Sequence, residues 1–537
     1  MGHSEALPAH EPPASAGPAR RAWWATFLLI TALGCLWALA SPLFSVPDEP
    51  AHTIRAAAAA RGQILPGERT ARGFSALVEV PAVFAKAPAV PVCYAFHGDV
   101  PAGCAKSFSG STRTVAVETN AGFYPPAFYA VVGAPSLPFP SATGIYLMRA
   151  ASAAICGALL ASAVASAWAL PRPRLLVTGI AFAVTPMVLF LAGSVNPSGV
   201  EIAAAVCLWV SLAVALTTPD GPARGRLVTR AGVSGSILAL SRPLSPMFVA
   251  LIGAALLIMF GWRPLVNLVR DRRGQVAAAA VALASLSTLV WVTAFGTLDQ
   301  TPGGAGTNAP LLENVRLSAG KVPAEVDQMI GVFGWLDTGA ATVSVYAWLF
   351  GVATLLLVGL ASSGRREAAV LVAVAVAVVA LPVALEAPRA ATQGFPWQGR
   401  YTLPLAVGVP ILASLQVDRA RLLPGRMVRS LSAMLLGLFV AGQLYAHFWS
   451  TRRYTAGVKG TLNWLTADGW HPKVPVWLLF AGFVVTLVLT AVWLQRLVVA
   501  DVSDDAPPVG DRPHELARDR RAGVAMADSA PMIGGRR

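Results

Sequence analysis

Charged residues and cysteines are both scarce in this sequence. Of its 537 residues 13% are charged, whereas soluble globular proteins average about 25%. This scarcity excludes most soluble folds, and it excludes an intrinsically disordered chain, which is rich in charge and poor in apolar residues. Five cysteines are too few for a disulfide-dense secreted scaffold. Metal and nucleotide motifs are missing too, since no Cys-x-x-Cys pair, His-Glu-x-x-His or glycine-rich phosphate loop in strand-to-helix context occurs.

Apolar residues dominate the chain instead. They make up 55% of it and give a mean hydropathy of +0.61. Long apolar runs recur, and at roughly 20 residues per span they predict an all-α integral membrane protein with about 12 transmembrane helices. The predicted helices cover residues 23–43, 146–170, 175–193, 198–217, 231–240, 244–260, 275–297, 342–361, 368–386, 402–416, 430–448 and 476–497.

The basic residues predict how these helices are oriented. The net charge is +14, and in membrane proteins excess Lys and Arg marks cytoplasmic loops, so the charge does not indicate a nucleic-acid partner. The basic clusters are Arg20/Arg21, Arg172/Arg174, Arg224/Arg226/Arg230, Arg263/Arg270/Arg272/Arg273, Arg365/Arg366 and Arg419/Arg421/Arg426/Arg429. With all of them in the cytoplasm, the spans from residue 146 onward cross the membrane in alternating directions, and no span is left unpaired. The acidic and aromatic loops then lie outside, at 44–122, 194–197, 298–341, 387–401 and 449–475.

Two runs leave alternatives open. The Pro-rich run 123–139 is predicted to be a re-entrant or interfacial helix, because a complete span there would place Arg172 and Arg174 outside. The alternative is a true span with those arginines outside. The first run, 23–43, is predicted to be an uncleaved anchor, and the alternative is a signal sequence cleaved after Ala38-Leu39-Ala40.

The domain organisation follows from the same pattern. Residues 1–22 and 501–537 lack apolar periodicity and are predicted to be disordered cytoplasmic tails. Between them lies a polytopic membrane domain, 23–500, whose two large extracytoplasmic loops are 44–122 and 298–341.

The cysteines divide into two groups. Cys93 and Cys104 share the first outer loop, where an oxidising exterior permits a disulfide, and two free thiols are the alternative. The other three cysteines lie in apolar helices and are expected to be inert.

The first outer loop opens with adjacent carboxylates, Asp48 and Glu49, and a short predicted helix, 51–61, follows them. If the helix includes Glu49, then Glu49 and His52, three residues apart, lie on one face. A carboxylate at the membrane surface can act as a general base or hold a divalent cation with a phosphate. The alternative is a helix cap beside a solvated histidine.

Further polar and aromatic residues lie on the same predicted face. Tyr124-Pro125-Pro126 is either an interfacial belt or a rigid platform for a lipid or sugar ring. Glu201 and Arg242 are ionisable groups at helix ends, which indicates function or mutual pairing. Arg400 is predicted to lie outside, although basic residues are usually cytoplasmic in membrane proteins. It therefore either binds a phosphate or extends its side chain to the lipid headgroups.

Taken in order, these motifs resemble the bacterial membrane-protein family catalogued as domain of unknown function 2142, from about residue 25 to about 450. The motifs are Pro47-Asp48-Glu49-x-x-His52, Tyr124-Pro125-Pro126, Asn196-Pro197, Gly334-Trp335-Leu336-Asp337 and Gln398-Gly399-Arg400-Tyr401. The resemblance implies a branch of the GT-C superfamily of membrane glycosyltransferases. It therefore implies a polyprenyl-phosphate sugar donor, transfer on the outer face of a bacterial plasma membrane, inversion at the anomeric carbon and a catalytic carboxylate in the first outer loop.

The resemblance also assigns roles. Asp48 becomes the base that deprotonates the acceptor hydroxyl, and Glu49 assists it or holds a divalent cation. Tyr124-Pro125-Pro126 approaches the donor phosphate, and Arg400 becomes a phosphate clamp. Other substrate-binding candidates on this face are His52, Asn196, Glu201, Arg242, Trp335, Asp337 and Tyr401. Tyr124 stands where related transferases often have Lys, and Asn196 stands where a second acidic motif is expected, so metal dependence stays open.

The leading hypothesis is a glycosyltransferase that moves a sugar from a polyprenyl-phosphate donor to a cell-envelope glycan or lipid. Its partners would be the bilayer, the lipid-linked sugar and the envelope acceptor. One alternative is a transporter or flippase of lipid-linked saccharides, for which Arg242-Pro243 could mark a broken helix. Ionisable residues at helix ends, away from mid-membrane, disfavour it. A non-catalytic envelope-assembly protein is the other alternative.

Overall fold

The computed structural model describes residues 17–71, 73–298, 306–467 and 469–499. In chain order the first helices are α1 (Gly17–Leu39), α2 (Glu49–Ala60), α3 (Ala127–Val132), α4 (Ala142–Ala167), α5 (Leu176–Ala183), α6 (Pro186–Ala192), α7 (Pro197–Thr217), α8 (Pro222–Ser241) and α9 (Ser245–Phe260). They are followed by α10 (Trp262–Arg270), α11 (Arg272–Phe295), α12 (Leu311–Gly331), α13 (Thr342–Ala361), α14 (Arg365–Glu386), α15 (Ala390–Gln393), α16 (Leu403–Ala406), α17 (Gly408–Ala420), α18 (Gly425–Ala456) and α19 (Val476–Val499). Strands β1 (Ala76–Pro81) and β2 (Thr114–Thr119) form a small antiparallel sheet.

The fold is that of an all-α membrane protein, as the sequence predicts. Among the described residues, nine helical segments are long and apolar enough to cross a membrane, and α9 with α10, bent by 113°, could form a tenth span. The nine involve α1, α4, α7, α11, α13, α14, α16 with α17, α18 and α19. Every one of the twelve predicted apolar segments is helical. The number of candidate spans is lower than twelve for two reasons. α8 is not apolar enough to count as a membrane-spanning helix, and the segment 175–193 is divided into the short helices α5 and α6.

Proline explains the division of the segment 175–193. Pro186 cannot donate a backbone hydrogen bond and disfavours helical backbone at the residue before it. Accordingly α5 ends at Ala183, and the Thr185 hydroxyl caps α6 by accepting from the Val188 N–H. The structure also moves the start of α1 to Gly17, inside the tail predicted at 1–22. The remainder of the predicted tails, 1–16 and 501–537, lies outside the described residues.

The Pro-rich run 123–139 contains α3, which has six residues, and a single 3₁₀ turn. A span needs about 20 helical residues, so this run does not cross a membrane as a helix. It packs against α2 instead, since the Arg61 guanidinium donates to the Ser136 hydroxyl and carbonyl at 3.0 and 2.8 Å.

The loops fall at two opposite ends of the bundle. At one end, which we call the site end, long-range contacts join the loops predicted to lie outside, for example Trp335 Nε1 to the Phe44 carbonyl at 3.1 Å. At the other end lie the loops that carry the basic clusters, where Asp418 of α17 binds the start of α5. The structure thus joins loops of the same kind to one another. That the site end lies outside the cytoplasm stays a prediction.

The central helix is α7. In its most apolar stretch 89% of the residues are buried inside the protein, whereas in that of α11 only 11% are buried. Large apolar side chains of α11 therefore face outward, as in a helix that contacts lipid. They include Val276, Leu283, Leu286, Leu289 and Val290.

The first loop folds into a small layer over the bundle. In β1, Val78 and Val80 are buried and pack toward Ile54 of α2, while Leu77 and Glu79 point outward. A disulfide joins Cys93 to Cys104 within this loop. Arg453 at the end of α18 fixes the same loop by donating to the Tyr94 and Val100 carbonyls at 2.8 Å.

We predict that Asp418→Ala destabilises the fold. Its two carboxylate oxygens accept from the backbone N–H groups of Leu175 and Leu176 at 2.6 and 2.8 Å. Leaving these buried donors unpaired should cost about 2–4 kcal/mol, measured as a lower thermal unfolding temperature in detergent. Asp418→Asn keeps one acceptor and should lose less. Replacement of the exposed Asp220 by Ala is the control, and an unfolding temperature of Asp418→Ala equal to that of the unsubstituted protein would contradict the prediction.

Candidate functional site

A cavity of about 360 Å³ opens at the site end of the bundle, and we call it the polar cavity. Six residues that the sequence predicts as site residues line it: Asp48, His52, Tyr124, Glu201, Arg242 and Tyr401. The other lining residues are Phe74, Asn120, Ala121, Pro243, Leu244, Phe248, Thr297, Leu298, Leu385, Glu386, Arg389, Gln393, Gly394, Pro396 and Trp397. The structure thus brings the six predicted residues, which come from five separate parts of the chain, into one concave site.

Asp48 is the most accessible of the carboxylates that line the polar cavity. Its side chain is 39% exposed, whereas those of Glu201 and Glu386 are 1% and 2% exposed. It stands at the N-cap position of α2 with φ 64°, a left-handed conformation that Asp adopts more readily than most residues. Oδ2 accepts from Nη2 of the buried Arg400 at 2.6 Å. Oδ1 has no hydrogen-bond partner within the described part of the chain, so it can accept a proton from a ligand.

Glu49, the neighbour of Asp48, faces the opposite way. Its carboxylate is fully buried and accepts from Arg149 of α4 through Nε at 2.7 Å and Nη2 at 2.6 Å. The Val195 N–H donates to it as well, at 3.1 Å. Glu49 does not line the polar cavity, so its carboxylate joins α2 to α4 and to the start of α7.

Arg149 is a residue that the sequence analysis missed. Besides Glu49, it donates to the carbonyls of Ala38, Ser41 and Pro42 at the end of α1. The sequence does hold a signal for its role: Arg149 is the one charged residue of the predicted apolar span 146–170. A charged side chain within a membrane span needs a partner of opposite charge or a hydrogen-bonding group.

His52 is buried beside two tyrosines. Its Nδ1 lies 2.8 Å from the Tyr129 hydroxyl, and its ring meets that of Tyr124 edge-on at 5.6 Å. Burial lowers the pKa of His52 to about 3, although the nearby Asp48 acts to raise it. Burial also raises the pKa of Tyr124. At neutral pH both side chains are therefore uncharged hydrogen-bonding groups on the cavity wall.

Glu201 and Arg242 pair with each other, which is one of the two alternatives that the sequence leaves open. Arg242 Nη1 lies 3.3 Å from Glu201 Oε2, and the Ser245 hydroxyl donates to Oε1 at 2.6 Å. The Arg242 guanidinium also lies over the ring of Tyr401, 4.3 Å from its centroid. The break between α8 and α9, where Arg242 stands, is therefore held against α7 and the 399–401 turn.

Glu386 and Arg389 line the polar cavity at the end of α14. The sequence places Arg389 on the same membrane face as the predicted site residues, but it assigns neither residue a site role. Glu386 accepts from Lys321 Nζ at 3.1 Å, from the Ser318 hydroxyl at 3.0 Å and from the Trp397 N–H at 2.7 Å. Arg389 is exposed, and within the described residues its guanidinium makes no ion pair or hydrogen bond. The signal for both was an ionisable residue at the outer end of a strongly apolar run.

Among the described charged residues that line the polar cavity, one cation has no carboxylate partner. Three carboxylates line it, and each has a basic partner: Arg400 for Asp48, Arg242 for Glu201 and Lys321 for Glu386. Arg389 is the remaining charged lining residue among those the structure describes. The cavity therefore favours an anionic group close to Arg389.

Five predicted site residues lie outside the polar cavity, in addition to Glu49 and Arg400. They are Pro125, Pro126, Asn196, Trp335 and Asp337. The two prolines line a separate apolar cleft of about 260 Å³ between α3, α8 and α11.

The other three residues make contacts within the fold. Asn196 caps α7 through the Ser198 N–H and donates to the Pro47 carbonyl. Asp337 pairs with Arg453 at 2.9 Å, and Trp335 donates to the Phe44 carbonyl. Arg400 reaches the site through Asp48 and does not line the cavity itself. These contacts position loops, including the loop that carries Asp48.

A metal site is not evident in the part of the chain that the structure describes. No group of three His, Cys, Asp or Glu side chains there lies close enough together to hold an ion.

The family model described as a predicted membrane protein, DUF2142, matches residues 28–409. The chain belongs to this family. A search among curated proteins gives no match. Among solved structures, the fold is similar to the crystal structure of ArnT from Cupriavidus metallidurans in the apo state, at 13% sequence identity and a TM-score of 0.42, over 90% of this chain and 78% of that chain. We take no residue role from a similarity this distant.

We predict different effects for the two adjacent carboxylates of this DUF2142 protein. Glu49→Gln leaves the buried Arg149 cation without its counter-charge, which should cost about 3–5 kcal/mol of stability. Asp48→Asn changes a partly exposed group and keeps an oxygen that can accept from Arg400, so it should lower the thermal unfolding temperature less than Glu49→Gln does. Unfolding in detergent, followed by tryptophan fluorescence, measures both. Equal unfolding temperatures for the two variants would contradict the structural role of Glu49.

We predict that His52 contributes to acid sensitivity. Its pKa is about 3 in the folded protein and about 6.5 in an unfolded chain, so the unfolded state binds the proton more readily between these values. The stability that the neutral ring provides is therefore complete above pH 6.5 and is lost as the pH falls towards 3. His52→Gln should flatten the fall in unfolding temperature over this window. Replacement of the exposed His471 by Gln is the control, and an unchanged acid slope for His52→Gln would refute the prediction.

Proposed function

We propose that this protein is a membrane glycosyltransferase that moves a sugar from a polyprenyl-phosphate donor to a hydroxyl of an envelope glycan or lipid. The observation that carries the proposal is the composition of the polar cavity. It combines an accessible carboxylate, a cation with no acidic partner among the described residues and several aromatic side chains at one end of a membrane bundle. The proposal follows the charge pattern in placing this end outside the cytoplasm of a bacterial cell.

The proposed base is Asp48. Its Oδ1 accepts the proton of the acceptor hydroxyl, whose oxygen then attacks the anomeric carbon of the donor sugar. The bond between that carbon and the phosphate oxygen breaks, and the polyprenyl phosphate leaves with the electron pair. Attack on the face opposite the leaving group inverts the configuration at this carbon. Arg400 holds Oδ2 and keeps Asp48 oriented, which replaces the clamp role that the family resemblance implies for it.

The leaving phosphate needs a positive group, and Arg389 is well suited to this role. A guanidinium donates paired hydrogen bonds to phosphate oxygens, and its charge stabilises the negative charge that develops as the bond breaks. Arg242 supports the same wall, although Glu201 already offsets its charge.

The sugar would lie between the base and this cation. His52 and Tyr124 can exchange hydrogen bonds with sugar hydroxyls, because both are uncharged. Trp397 and Tyr401, whose rings meet edge-on at 5.7 Å, offer apolar faces. Glu49, Asn196 and Asp337 act in this proposal as positioning residues.

We predict that Asp48→Asn abolishes most of the transfer. Loss of a general base typically costs about 10²–10⁴-fold in rate. The assay uses purified protein in lipid nanodiscs, mixed polyprenyl-phosphate sugars and envelope acceptors, with released polyprenyl phosphate followed by mass spectrometry. Asp99→Asn is the matched control, since Asp99 is an exposed carboxylate of the same loop that pairs with Lys459 and does not line the cavity.

The outcomes separate this proposal from its alternatives. Release of polyprenyl phosphate that persists in Asp48→Asn would overturn the base assignment. A flippase would change the sidedness of a lipid-linked saccharide and release no polyprenyl phosphate. A non-catalytic assembly protein would neither release polyprenyl phosphate nor change the sidedness of the saccharide. A cooperative thermal unfolding transition would show that such an inactive sample is folded.

A further inference from the structure

A second concave surface, which we call the apolar groove, runs between α12 and α14 and has a volume of about 590 Å³. Its walls are a stripe of α12 that includes Leu311, Val315 and Ala319 and a stripe of α14 that includes Val383 and Ala384. Every lining side chain is apolar. The stripe on α12 extends from 311 to 323, which is about 18 Å at about 1.5 Å per residue.

The apolar groove is held open by fixed contacts. On the polar side of α12, Lys321 and the buried Ser318 both donate to Glu386 at the end of α14. Lys321 also donates to the Phe395 carbonyl at 2.9 Å. These contacts join α12 to α14 behind the apolar groove without filling it, so the two walls are fixed relative to each other.

One turn of chain separates the apolar groove from the polar cavity. Ala387 and Pro388 line the groove, whereas Glu386 and Arg389, on either side of them, line the cavity. A molecule whose apolar part lies in the groove can therefore place its polar end beside Arg389. This arrangement suits an amphiphile with an anionic head, because the Arg389 charge is not offset within the described residues.

The apolar groove is open along its side. Leu311 is 60% exposed and Val379 is 46% exposed. In a membrane protein, exposed apolar side chains such as these can contact lipid. α14 is among the helices long and apolar enough to cross the membrane, and its last turns form one wall. A lipid in the adjacent leaflet could therefore enter sideways and would not have to leave the bilayer.

We propose that the apolar groove binds the chain of a polyprenyl monophosphate ester, with its phosphate on Arg389. The choice of this lipid rests on the proposed function, and the site extends that function by assigning the donor chain to α12 and α14. A single stripe on each wall fits one chain, whereas a diacyl phospholipid carries two. Arg389 meets the phosphate at the point where the chain would emerge into the polar cavity.

The test is photolabelling of the full-length protein in phosphatidylcholine nanodiscs. The probe is a polyprenyl monophosphate with a diazirine on its chain, and labelled peptides are identified by mass spectrometry. We expect labels in α12 and in the second half of α14. Ala384→Trp fills the groove and should reduce this labelling about tenfold or more, since it removes the volume that the chain needs. Ala373→Trp, on the same helix but outside the groove, is the matched control.

The phosphate contact is tested separately. Arg389→Gln should weaken binding of the polyprenyl monophosphate about tenfold, as loss of a charge-assisted hydrogen bond does, and should leave binding of the uncharged polyprenol unchanged. Arg316→Gln, an exposed arginine of α12 that does not line the polar cavity, is the control.

The outcomes distinguish this site from the enzymatic proposal. Labels elsewhere, labels unaffected by Ala384→Trp, or equal competition by phosphatidylglycerol would each overturn the polyprenyl-phosphate site. Sugar transfer that continues in Ala384→Trp with an unchanged KM would overturn the site while the transferase proposal stands. Specific labelling without any sugar transfer would support the site and count against the transferase.

Discussion

The buried ion pair between Glu49 and Arg149 determines where the exposed carboxylate of the polar cavity stands. Both groups are fully buried, so neither can be left unpaired without a large desolvation cost. Arg149 uses its remaining donors on the carbonyls at the end of α1, and Glu49 accepts the Val195 N–H before α7. Four parts of the chain therefore meet at one charge pair, and the first turn of α2 can adopt one position. Asp48 precedes that turn, so its orientation towards the polar cavity follows from the burial of its neighbour.

The same principle governs the rest of the site. Each carboxylate of the polar cavity is matched with a cation from a different element, and each pair fixes one wall against another. Glu201 and Arg242 hold the α8–α9 break to α7, and Glu386 with Lys321 holds α12 to α14. Compensated pairs add rigidity without adding net charge. Among the described residues that line the cavity, Arg389 is the charged group outside these pairs, so in the proposed function it is the group that selects an anionic ligand.

The sequence predicted the apolar helices well because span length and hydropathy are local properties. It also predicted that the acidic and aromatic loops share one end, since the positive-inside pattern is read along the chain. It could not separate the roles of Asp48 and Glu49. Adjacent carboxylates look alike until Arg149, a hundred positions away, takes one of them. Nor could it find α12 or the apolar groove, because the apolar stripe of α12 is interrupted by charged residues and its partner wall lies on α14.

A polar cavity with an apolar groove beside it suits chemistry at a membrane surface. The anion of a lipid phosphate is stable where water reaches it, whereas its chain is stable only away from water. A protein that acts on such a molecule must therefore offer both surroundings within the length of one phosphate linkage. Here a single turn, from Glu386 to Arg389, provides that boundary, because its first and last residues line the polar cavity and the two between them, Ala387 and Pro388, line the apolar groove. Because Glu386 in this turn also binds Lys321 of α12, the contact that shapes the apolar groove is the same contact that neutralises a carboxylate of the polar cavity. Disturbing either space should therefore disturb the other.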